Sequence, residues 1–235
     1  METIQGKVAL ITGAGGAVGT HVSRVLLAEG LGCAMFYRSS RHETALAGIR
    51  DEYPDTAELV QTDLNDPQSA NEAVEEVLNN YQRIDYLVNA IGGWLGGKRL
   101  HEHSPVEFEK MLSMDFRPVF NIMRAVLPVM AEQGGGRIIN FSSMASLTAA
   151  PANAVYAASK AAVESLSNVA AKEYGQENIQ IVTFAPDMLN TESNRQAMPD
   201  ADSREWTDLE DIADAVLYVC KSGNAINGTT FRFTG

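Results

Sequence analysis

Near the amino end, Lys7 to Thr12 (K-V-A-L-I-T) run directly into Gly13-Ala14-Gly15-Gly16-Ala17-Val18-Gly19. The apolar run predicts a buried strand and the glycines predict a tight turn. A helix should follow, because apolar residues recur at helical spacing at Val18, Val22, Val25 and Leu26. Glycine lets a backbone come close to a pyrophosphate, and free N–H groups at a helix start favour negative charge. Many glycine-rich turns bind nothing, so the order of strand, turn and helix is what indicates a dinucleotide site.

Segments typical of strands and helices alternate along the rest of the chain. The predicted strands are Val8–Thr12, Cys33–Tyr37, Glu58–Gln61, Ile84–Val88, Arg137–Phe141, Ile179–Phe184 and Thr230–Phe233. This alternation predicts an α/β fold of the Rossmann type, a doubly wound parallel sheet of about seven strands with helices on both faces. At 235 residues and 45% hydrophobic content, the chain suits a single domain over 1–235. Ligands of such sheets bind at the carboxyl ends of the strands.

Three residues suited to carbonyl reduction follow. Tyr156 to Lys160 read Y-A-A-S-K, and Ser143 lies thirteen positions before Tyr156. Residues four apart on a helix share one face, so the Lys160 ammonium can lie beside the phenol and favour its ionised form. A tyrosine in that setting is a usable proton donor and acceptor. Because Y-x-x-x-K also occurs by chance on many helices, its combination with the glycine turn carries the prediction.

The motif T-G-x-x-x-A-x-G at 12–19, with Asn89 after an apolar strand, Ser143, Tyr156 and Lys160, resembles the short-chain dehydrogenase/reductase family over essentially the whole chain. The resemblance implies an NAD(P)-dependent oxidoreductase whose glycine loop binds a nicotinamide dinucleotide. It implies that Tyr156 exchanges a proton with the substrate oxygen and that Ser143 positions this oxygen. Lys160 is expected to hold the nicotinamide ribose as well.

The residues after the second strand bear on the choice between NAD and NADP. The family position that holds Asp or Glu in NAD enzymes is Tyr37, and Arg38 and Ser39 follow. A guanidinium with Ser39 and Arg41 nearby can neutralise and hydrogen-bond a 2′-phosphate, which predicts NADPH over NADH. The alternative is that Arg38 and Arg41 are solvated charges on an acidic surface.

Further cofactor contacts are implied at the ends of the third and fourth strands. Asp63 matches the position that contacts the adenine amino group, with Leu64 as its apolar neighbour, although a solvated loop aspartate would look the same. Asn89-Ala90-Ile91-Gly92 replaces the family's Asn-Asn-Ala-Gly. This keeps the asparagine at the strand end and adds bulk beside the cofactor.

The segment after the sixth strand, Pro186 to Thr191, takes the place of the family's Pro-Gly segment that ends in threonine. Pro186, Leu189 and Thr191 are therefore expected beside the cofactor, with Thr191 on the carboxamide or a phosphate. Residues 189–204 would form a short lid over the substrate. A lid of that length favours substrates that are modest in size or partly exposed.

Two departures from the family pattern concern Ala17 and Asp115. Ala17 replaces a glycine, which the loop absorbs if residue 17 keeps a negative φ. Asp115, in M-L-S-M-D-F, occupies the position of an asparagine that supports a water-linked proton relay to the lysine. A carboxylate can hold water there, but its charge would pair with Lys160 and oppose ionisation of Tyr156. The alternative is that Asp115, shortly before Pro118, breaks a helix.

Two loops resemble quinonoid dihydropteridine reductases: Gly92 to Gly97 (G-G-W-L-G-G), and Asn194 to Asp202 with Trp206-Thr207. The likeness implies that Trp94 stacks on a flat heteroaromatic substrate. Trp94 would equally suit a loop anchor that closes over the core. That subfamily typically has an acidic residue where this chain has Tyr37 and usually lacks the serine found at Ser143, so shared loops need not mean a shared substrate.

Composition excludes several classes of protein. The formal net charge of −12 argues against nucleic-acid binding, since phosphate backbones reward clustered Lys and Arg. No apolar run predicts a signal peptide or a membrane span, so a cytoplasmic location is expected. Cys33 and Cys220 predict neither a disulfide nor a metal site. The family resemblance implies a homodimer or homotetramer built partly on helices around Glu107–Met130 and Ala154–Tyr174.

The sequence thus predicts an NADPH-dependent reductase that transfers hydride to a small carbonyl substrate of the 3-oxoacyl thioester or ketone type. The predicted catalytic residues are Ser143, Tyr156, Lys160 and Asp115, with Tyr156 as the proton donor. Quinonoid dihydropteridine reductase activity is the specific alternative. A regulator that binds a dinucleotide without turnover is a further alternative, motivated by Asp115 and the altered Asn-Ala-Ile-Gly segment.

Overall fold

The computed structural model describes residues 3–235 and contains a seven-stranded parallel sheet in the order β3-β2-β1-β4-β5-β6-β7. The strands are β1 Val8–Thr12, β2 Gly32–Tyr37, β3 Ala57–Gln61, β4 Tyr86–Asn89, β5 Gly136–Phe141, β6 Ile179–Pro186 and β7 Thr230–Phe233. Because β1 lies between β2 and β4, the strand order reverses there. The carboxyl ends of β1 and β4 therefore form the switch point at which such sheets bind ligands.

Helices cover both faces of the sheet. They are α1 Ala17–Ala28, α2 Ser40–Glu52, α3 Pro67–Tyr81, α4 Pro105–Met111, α5 Arg117–Glu132, α6 Met144–Thr148, α7 Ala154–Tyr174, α8 Glu192–Ala197 and α9 Leu209–Lys221. Helices α1, α2 and α9 pack on one face, and α3, α5 and α7 pack on the other. Every residue of β1 and β2 is consequently buried, as expected for a parallel sheet covered on both sides.

All seven predicted strands are present, and the clearest boundary error is at β4, which was expected over Ile84–Val88. The Gln133 side chain hydrogen-bonds both the N–H (3.2 Å) and the carbonyl (2.5 Å) of Ile84. The strand proper therefore begins at Tyr86. It extends to Asn89, which pairs with Thr12 of β1 and Asn140 of β5.

The expected helix over Glu107–Met130 is present, but with an irregular turn inside it. Helix α4 passes through a π-helical turn, Leu112–Phe116, into α5. Pro118 lies in the first turn of α5, where proline is well tolerated because its missing N–H is not needed there. The alternative that Asp115 breaks the helix is therefore wrong. Helix α7 has the predicted bounds.

Candidate active site

The glycine turn between β1 and α1 requires glycine at two positions. Gly13 has φ +62°, and a Cβ there would lie 2.8 Å from the carbonyl oxygen of Ala90. A Cβ on Gly19 would lie 2.3 Å from the Gly13 oxygen. Ala17 is the first helical residue of α1, so its substitution for glycine costs no strain. Gly16 is the N-cap residue of α1 and has no side chain that could accept a hydrogen bond. The N–H groups at the start of α1 are therefore available to an anionic group.

A cleft of about 290 Å³ lies beside this turn. Its walls come from the glycine turn, the carboxyl ends of β2, β3 and β4, and the π-helical turn, through residues that include Gly13, Gly15, Gly16, Arg38, His42, Asp63, Leu64, Ala90, Gly92, Ser113 and Met114. The structure thus gathers the predicted residues from four separate segments. Ala17, Val18 and Gly19 lie behind the turn, within α1. Ser39 lies at the start of α2, where its Oγ is 3.3 Å from His42 Nδ1.

Local hydrogen bonds hold the Asp63 side chain and the Arg38 backbone at this edge of the sheet. Asp63 Oδ1 accepts hydrogen bonds from the backbone N–H (3.1 Å) and the side-chain amide (3.2 Å) of Asn65. The Gln61 side chain donates to the Arg38 carbonyl at 3.3 Å, while the Arg38 guanidinium belongs to an exposed residue. The cleft therefore carries the carboxylate of Asp63, which local hydrogen bonds hold, and the exposed guanidinium of Arg38.

Asn89 lies beneath the cleft, in a buried ladder of polar side chains. Its Oδ1 accepts a hydrogen bond from Thr12 Oγ1 at 3.2 Å, and its Nδ2 donates to Asn140 Oδ1 at 2.7 Å. Asn140 in turn donates to Ser167 of α7 at 2.7 Å. The Asn89 side chain is thus engaged in linking β1, β4 and α7 through β5. The Ala90 backbone, by contrast, lies directly against the turn.

Two of the three predicted reactive side chains, Ser143 and Lys160, lie at the end of β5. Ser143 follows this strand and caps α6, with its Oγ accepting from the Ala145 N–H at 3.2 Å and 3.5 Å from the Pro186 carbonyl. Lys160 Nζ donates to the Phe141 carbonyl at 3.1 Å, and Ser142 Oγ donates to the Lys160 carbonyl at 3.1 Å. These bonds hold the start of α7, and the half-buried Tyr156 one turn before Lys160, against the strand end that presents Ser143.

Asp115 is fully buried and pairs with Lys160, as its position predicted. Its Oδ1 lies 3.8 Å from Lys160 Nζ and accepts a hydrogen bond from the Gly93 N–H at 2.9 Å. Its Oδ2 accepts a hydrogen bond from Ser159 Oγ at 2.7 Å. Gly92 makes room for this pair, because a Cβ there would lie 2.8 Å from Lys160 Nζ. The carboxylate therefore joins the loop after β4 to α7.

Trp94 is held in place but does not close over the core. Its indole Nε1 donates to Asn153 Oδ1 at 2.8 Å, immediately before α7, and the ring packs on Gly96, where a Cβ would lie 2.7 Å from Cζ2. The residue is nevertheless 62% exposed. The indole thus presents a largely open surface near the helix that carries Tyr156.

The segment over 189–204, which the sequence predicted as a lid, is anchored at its start. Leu189 forms an isolated parallel bridge with Thr207, and the Asn190 N–H donates to the Thr207 carbonyl at 2.8 Å. Thr191 is buried and caps α8 by accepting from the Asn194 N–H at 3.2 Å. The hydroxyl expected to meet the cofactor therefore has a local role in this structure.

A family model for short chain dehydrogenases matches residues 7–202, most of the chain. The protein belongs to the short-chain dehydrogenase family. An uncharacterized oxidoreductase from Staphylococcus epidermidis is 25% identical over 227 residues, which cover 97% of this chain and 96% of the relative.

Two solved structures are similar over nearly their full length. ElxO with NADP bound has a TM-score of 0.91 and 25% identity, covering 97% of this chain and 96% of that one. A 3-ketoacyl-(acyl-carrier-protein) reductase from Brucella melitensis complexed with NADH has a TM-score of 0.87 and 25% identity, covering 99% and 98%. This short-chain dehydrogenase is thus an NAD(P)-dependent oxidoreductase with a Rossmann-type fold. Its glycine turn, uncapped helix start and adjoining cleft fit a nicotinamide dinucleotide.

Sequence reasoning missed several residues of this short-chain dehydrogenase that line or support the cleft: His42, Ser113, Met114 and Ser159. His42 was detectable in part, because it lies four residues after Arg38, at the start of a helix that follows a strand end. Ser159 had no signal of its own, since its partner Asp115 lies 44 positions earlier.

The two cysteines are free thiols within the core of the short-chain dehydrogenase. Burial raises the pKa of Cys220 to about 12 and raises the pKa of Cys33 even further above its ordinary range. Thiols held in this protonated form are poor nucleophiles. Within residues 3–235, no helix is both long enough and apolar enough to span a bilayer.

Proposed function

We propose that this enzyme is an NADPH-dependent reductase of small carbonyl compounds, with Tyr156 as proton donor. The observation that carries the proposal is the hydrogen bond from Lys160 Nζ to the Phe141 carbonyl at the end of β5. Phe141 lies two residues before Ser143, and Lys160 lies one helical turn after Tyr156 on α7. Gly92, which lines the cleft, lies beside Lys160, since a Cβ on Gly92 would be 2.8 Å from Lys160 Nζ. This supports a site in which the Ser143 hydroxyl, the Tyr156 phenol and the Lys160 ammonium adjoin the dinucleotide cleft.

Each side chain has a distinct role in the proposed reduction. The Ser143 hydroxyl holds the substrate oxygen by a hydrogen bond, and the Tyr156 phenol donates a proton to this oxygen as it becomes negative. The Lys160 ammonium stabilises the phenolate left behind. Asp115 holds Lys160 and the Gly93 backbone in place. A water bound to its carboxylate would support reprotonation of the Tyr156 phenolate by way of Lys160. The bound nicotinamide supplies the hydride.

NADPH is favoured over NADH because the position after β2 carries a cation and no carboxylate. Tyr37 is buried at the end of the strand, and Arg38, the next residue, lines the cleft. Arg38 can neutralise a 2′-phosphate, whereas NADH offers it no such partner. Titration of both dinucleotides by fluorescence tests this point. Arg38→Ala should weaken NADPH binding and leave NADH nearly unchanged; an equal effect on both, or tighter NADH binding by the parent, would refute the preference.

The substrate proposed first is a 3-oxoacyl thioester or a small ketone, because an open site with a short lid suits a modest or partly exposed substrate. The 3-ketoacyl-(acyl-carrier-protein) reductase among the similar structures supports the same class. A quinonoid dihydropterin is the second candidate, favoured by the exposed and fixed indole of Trp94, on which a flat ring could stack.

The experiment is turnover of NADPH against a panel of 3-oxoacyl thioesters, small ketones and quinonoid dihydropterin. Oxidation of NADPH with a member of the first two groups supports the carbonyl reductase. Oxidation with the dihydropterin alone favours the second candidate, and Trp94→Ala should then raise KM for that substrate. Dinucleotide binding without turnover of any panel member would favour the non-catalytic regulator.

We also propose that the enzyme assembles as a homodimer or homotetramer through α5 and α7. Val163 of α7 packs in the core, whereas Val169 on the same helix is 51% exposed and Phe120 of α5 is 43% exposed. Exposed apolar side chains on two long helices suit a second subunit. A mass near 25.4 kDa by light scattering at micromolar concentration would reject assembly. The cytoplasmic location stays a prediction.

A further inference from the structure

His42 occupies the space above the glycine turn that a side chain at residue 15 would otherwise fill. A Cβ on Gly15 would lie 2.5 Å from His42 Cβ and 2.9 Å from its Cγ. The histidine is half-buried, lines the same cleft as Gly15 and Arg38, and lies in the first turn of α2, four residues after Arg38. Its imidazole thus faces a ligand in the cleft from the side of the turn, whereas Arg38 faces it from the end of β2.

The ring orientation is set by a neighbour. His42 Nδ1 lies 3.3 Å from Ser39 Oγ. When the Ser39 hydroxyl donates this bond, the ring proton resides on Nε2, which makes that nitrogen a donor. An imidazole held in this way can hydrogen-bond an anionic oxygen whether it is neutral or protonated.

The carboxylates near Arg38 explain why a second hydrogen-bond donor would strengthen phosphate binding in this cleft. Arg38 also lines an adjoining depression together with Asp63, Glu72 and Glu76. Those carboxylates repel an added phosphate and compete with it for the guanidinium. His42 lies over Gly15 in the cleft, which shares Asp63 but neither Glu72 nor Glu76 with this depression, so a donor here adds to anion binding where Arg38 is weakened.

We propose that His42 is a ligand for the 2′-phosphate of NADPH and, with Arg38, determines the choice between the two dinucleotides. This inference rests on the proposed NADPH preference. The ring would donate from Nε2 to a phosphate oxygen, and Ser39 would act as a positioning residue that fixes the imidazole.

The test compares NADPH and NADH affinities, by fluorescence titration, for the parent, His42→Ala and His42→Lys. Loss of a hydrogen bond to a charged group corresponds to roughly tenfold or more in affinity, so His42→Ala should raise the Kd for NADPH by about that factor. The Kd for NADH should change less than about twofold. His42→Lys should retain the NADPH preference, because an ammonium donor replaces the imidazole donor. His101→Ala, on an exposed turn, is the matched histidine control and should change neither affinity.

The outcomes separate the two proposals. Selective loss of NADPH affinity in both Arg38→Ala and His42→Ala supports both. Selective loss in Arg38→Ala with equal effects on both dinucleotides in His42→Ala overturns the role of His42 and keeps the preference. Tighter binding of both dinucleotides by His42→Ala also overturns it, by showing that the ring only blocks the cleft. If the parent prefers NADH, the NADPH preference fails and the role of His42 fails with it.

Discussion

Replacing Asp115 with asparagine removes one buried charge while keeping the shape of the side chain. The asparagine oxygen can still accept from the Gly93 N–H, and its amide can donate to the Ser159 hydroxyl in place of the bond that Ser159 now donates. What is lost is the attraction between the Asp115 carboxylate and the Lys160 ammonium, whose atoms lie 3.8 Å apart. Asp115→Asn thus isolates the charge from the hydrogen bonds.

The magnitude follows from the separation and the burial. Two unit charges about 4 Å apart attract by about 4 kcal/mol at an effective dielectric constant of about 20. Part of this is returned, because a buried carboxylate no longer has to be desolvated. We expect Asp115→Asn to lower the free energy of unfolding by about 1.5–3 kcal/mol, the range of a hydrogen bond to a charged group. Asp115→Ala also removes both hydrogen bonds and should cost about 3–5 kcal/mol.

Chemical denaturation measures the stability, and the pH dependence of kcat measures the effect on chemistry. With the carboxylate gone, the Lys160 ammonium acts more fully on the Tyr156 phenol, so the alkaline limb of the pH–rate profile should move to lower pH with turnover kept or increased. A folded Asp115→Asn enzyme without turnover would refute this reasoning and show that the carboxylate takes part in the chemistry. Equal destabilisation by Asn and Ala would show that the hydrogen bonds are not preserved.

Two further predictions concern the glycine turn and the acid limb of stability. Gly19→Ala should destabilise the enzyme by about 1–3 kcal/mol and abolish dinucleotide binding, because its Cβ would lie 2.3 Å from the backbone oxygen of Gly13. Thermal melts measure the loss of stability. Gly48→Ala, inside α2 with open space around it, is the matched control and should be neutral or stabilising in the same melts. The Lys98 hydrogen bond lowers the pKa of Glu107 from its ordinary 4.5 to about 2, so the stability that Glu107 contributes is present above about pH 4.5 and lost as pH falls through about 2. The difference in unfolding free energy between parent and Glu107→Gln should therefore shrink over this range, and a constant difference would contradict the pairing.

The order of the fold was predictable because it depends on local patterns. Apolar runs of strand length marked all seven strands, and the spacing of Tyr156 and Lys160 placed both on α7. Boundaries that depend on distant side chains were not predictable. The side chain of Gln133, 49 residues beyond Ile84, hydrogen-bonds the backbone of Ile84, the residue predicted to begin β4. The π-helical turn was missed for a related reason, since its buried Asp115 is held by partners on two other segments.

The site followed the same division. Chain order predicted which segments supply the cleft, because the carboxyl ends of parallel strands meet at one edge of the sheet. It did not predict that the Asn89 side chain would be used up by Thr12 and Asn140, nor that His42 would lie over Gly15. Both contacts depend on how neighbouring strands and helices pack against each other, which the periodicity of the sequence does not show.

The central claim, that Tyr156 donates the proton in a carbonyl reduction, is tested most directly by Tyr156→Phe with a substrate confirmed for the parent. The change removes the phenolic hydroxyl and keeps the ring that packs at the start of α7. We expect dinucleotide affinity within about twofold of the parent and kcat lower by at least about 100-fold, the usual scale of positioned acid–base catalysis. An unchanged kcat with intact dinucleotide binding would contradict the account.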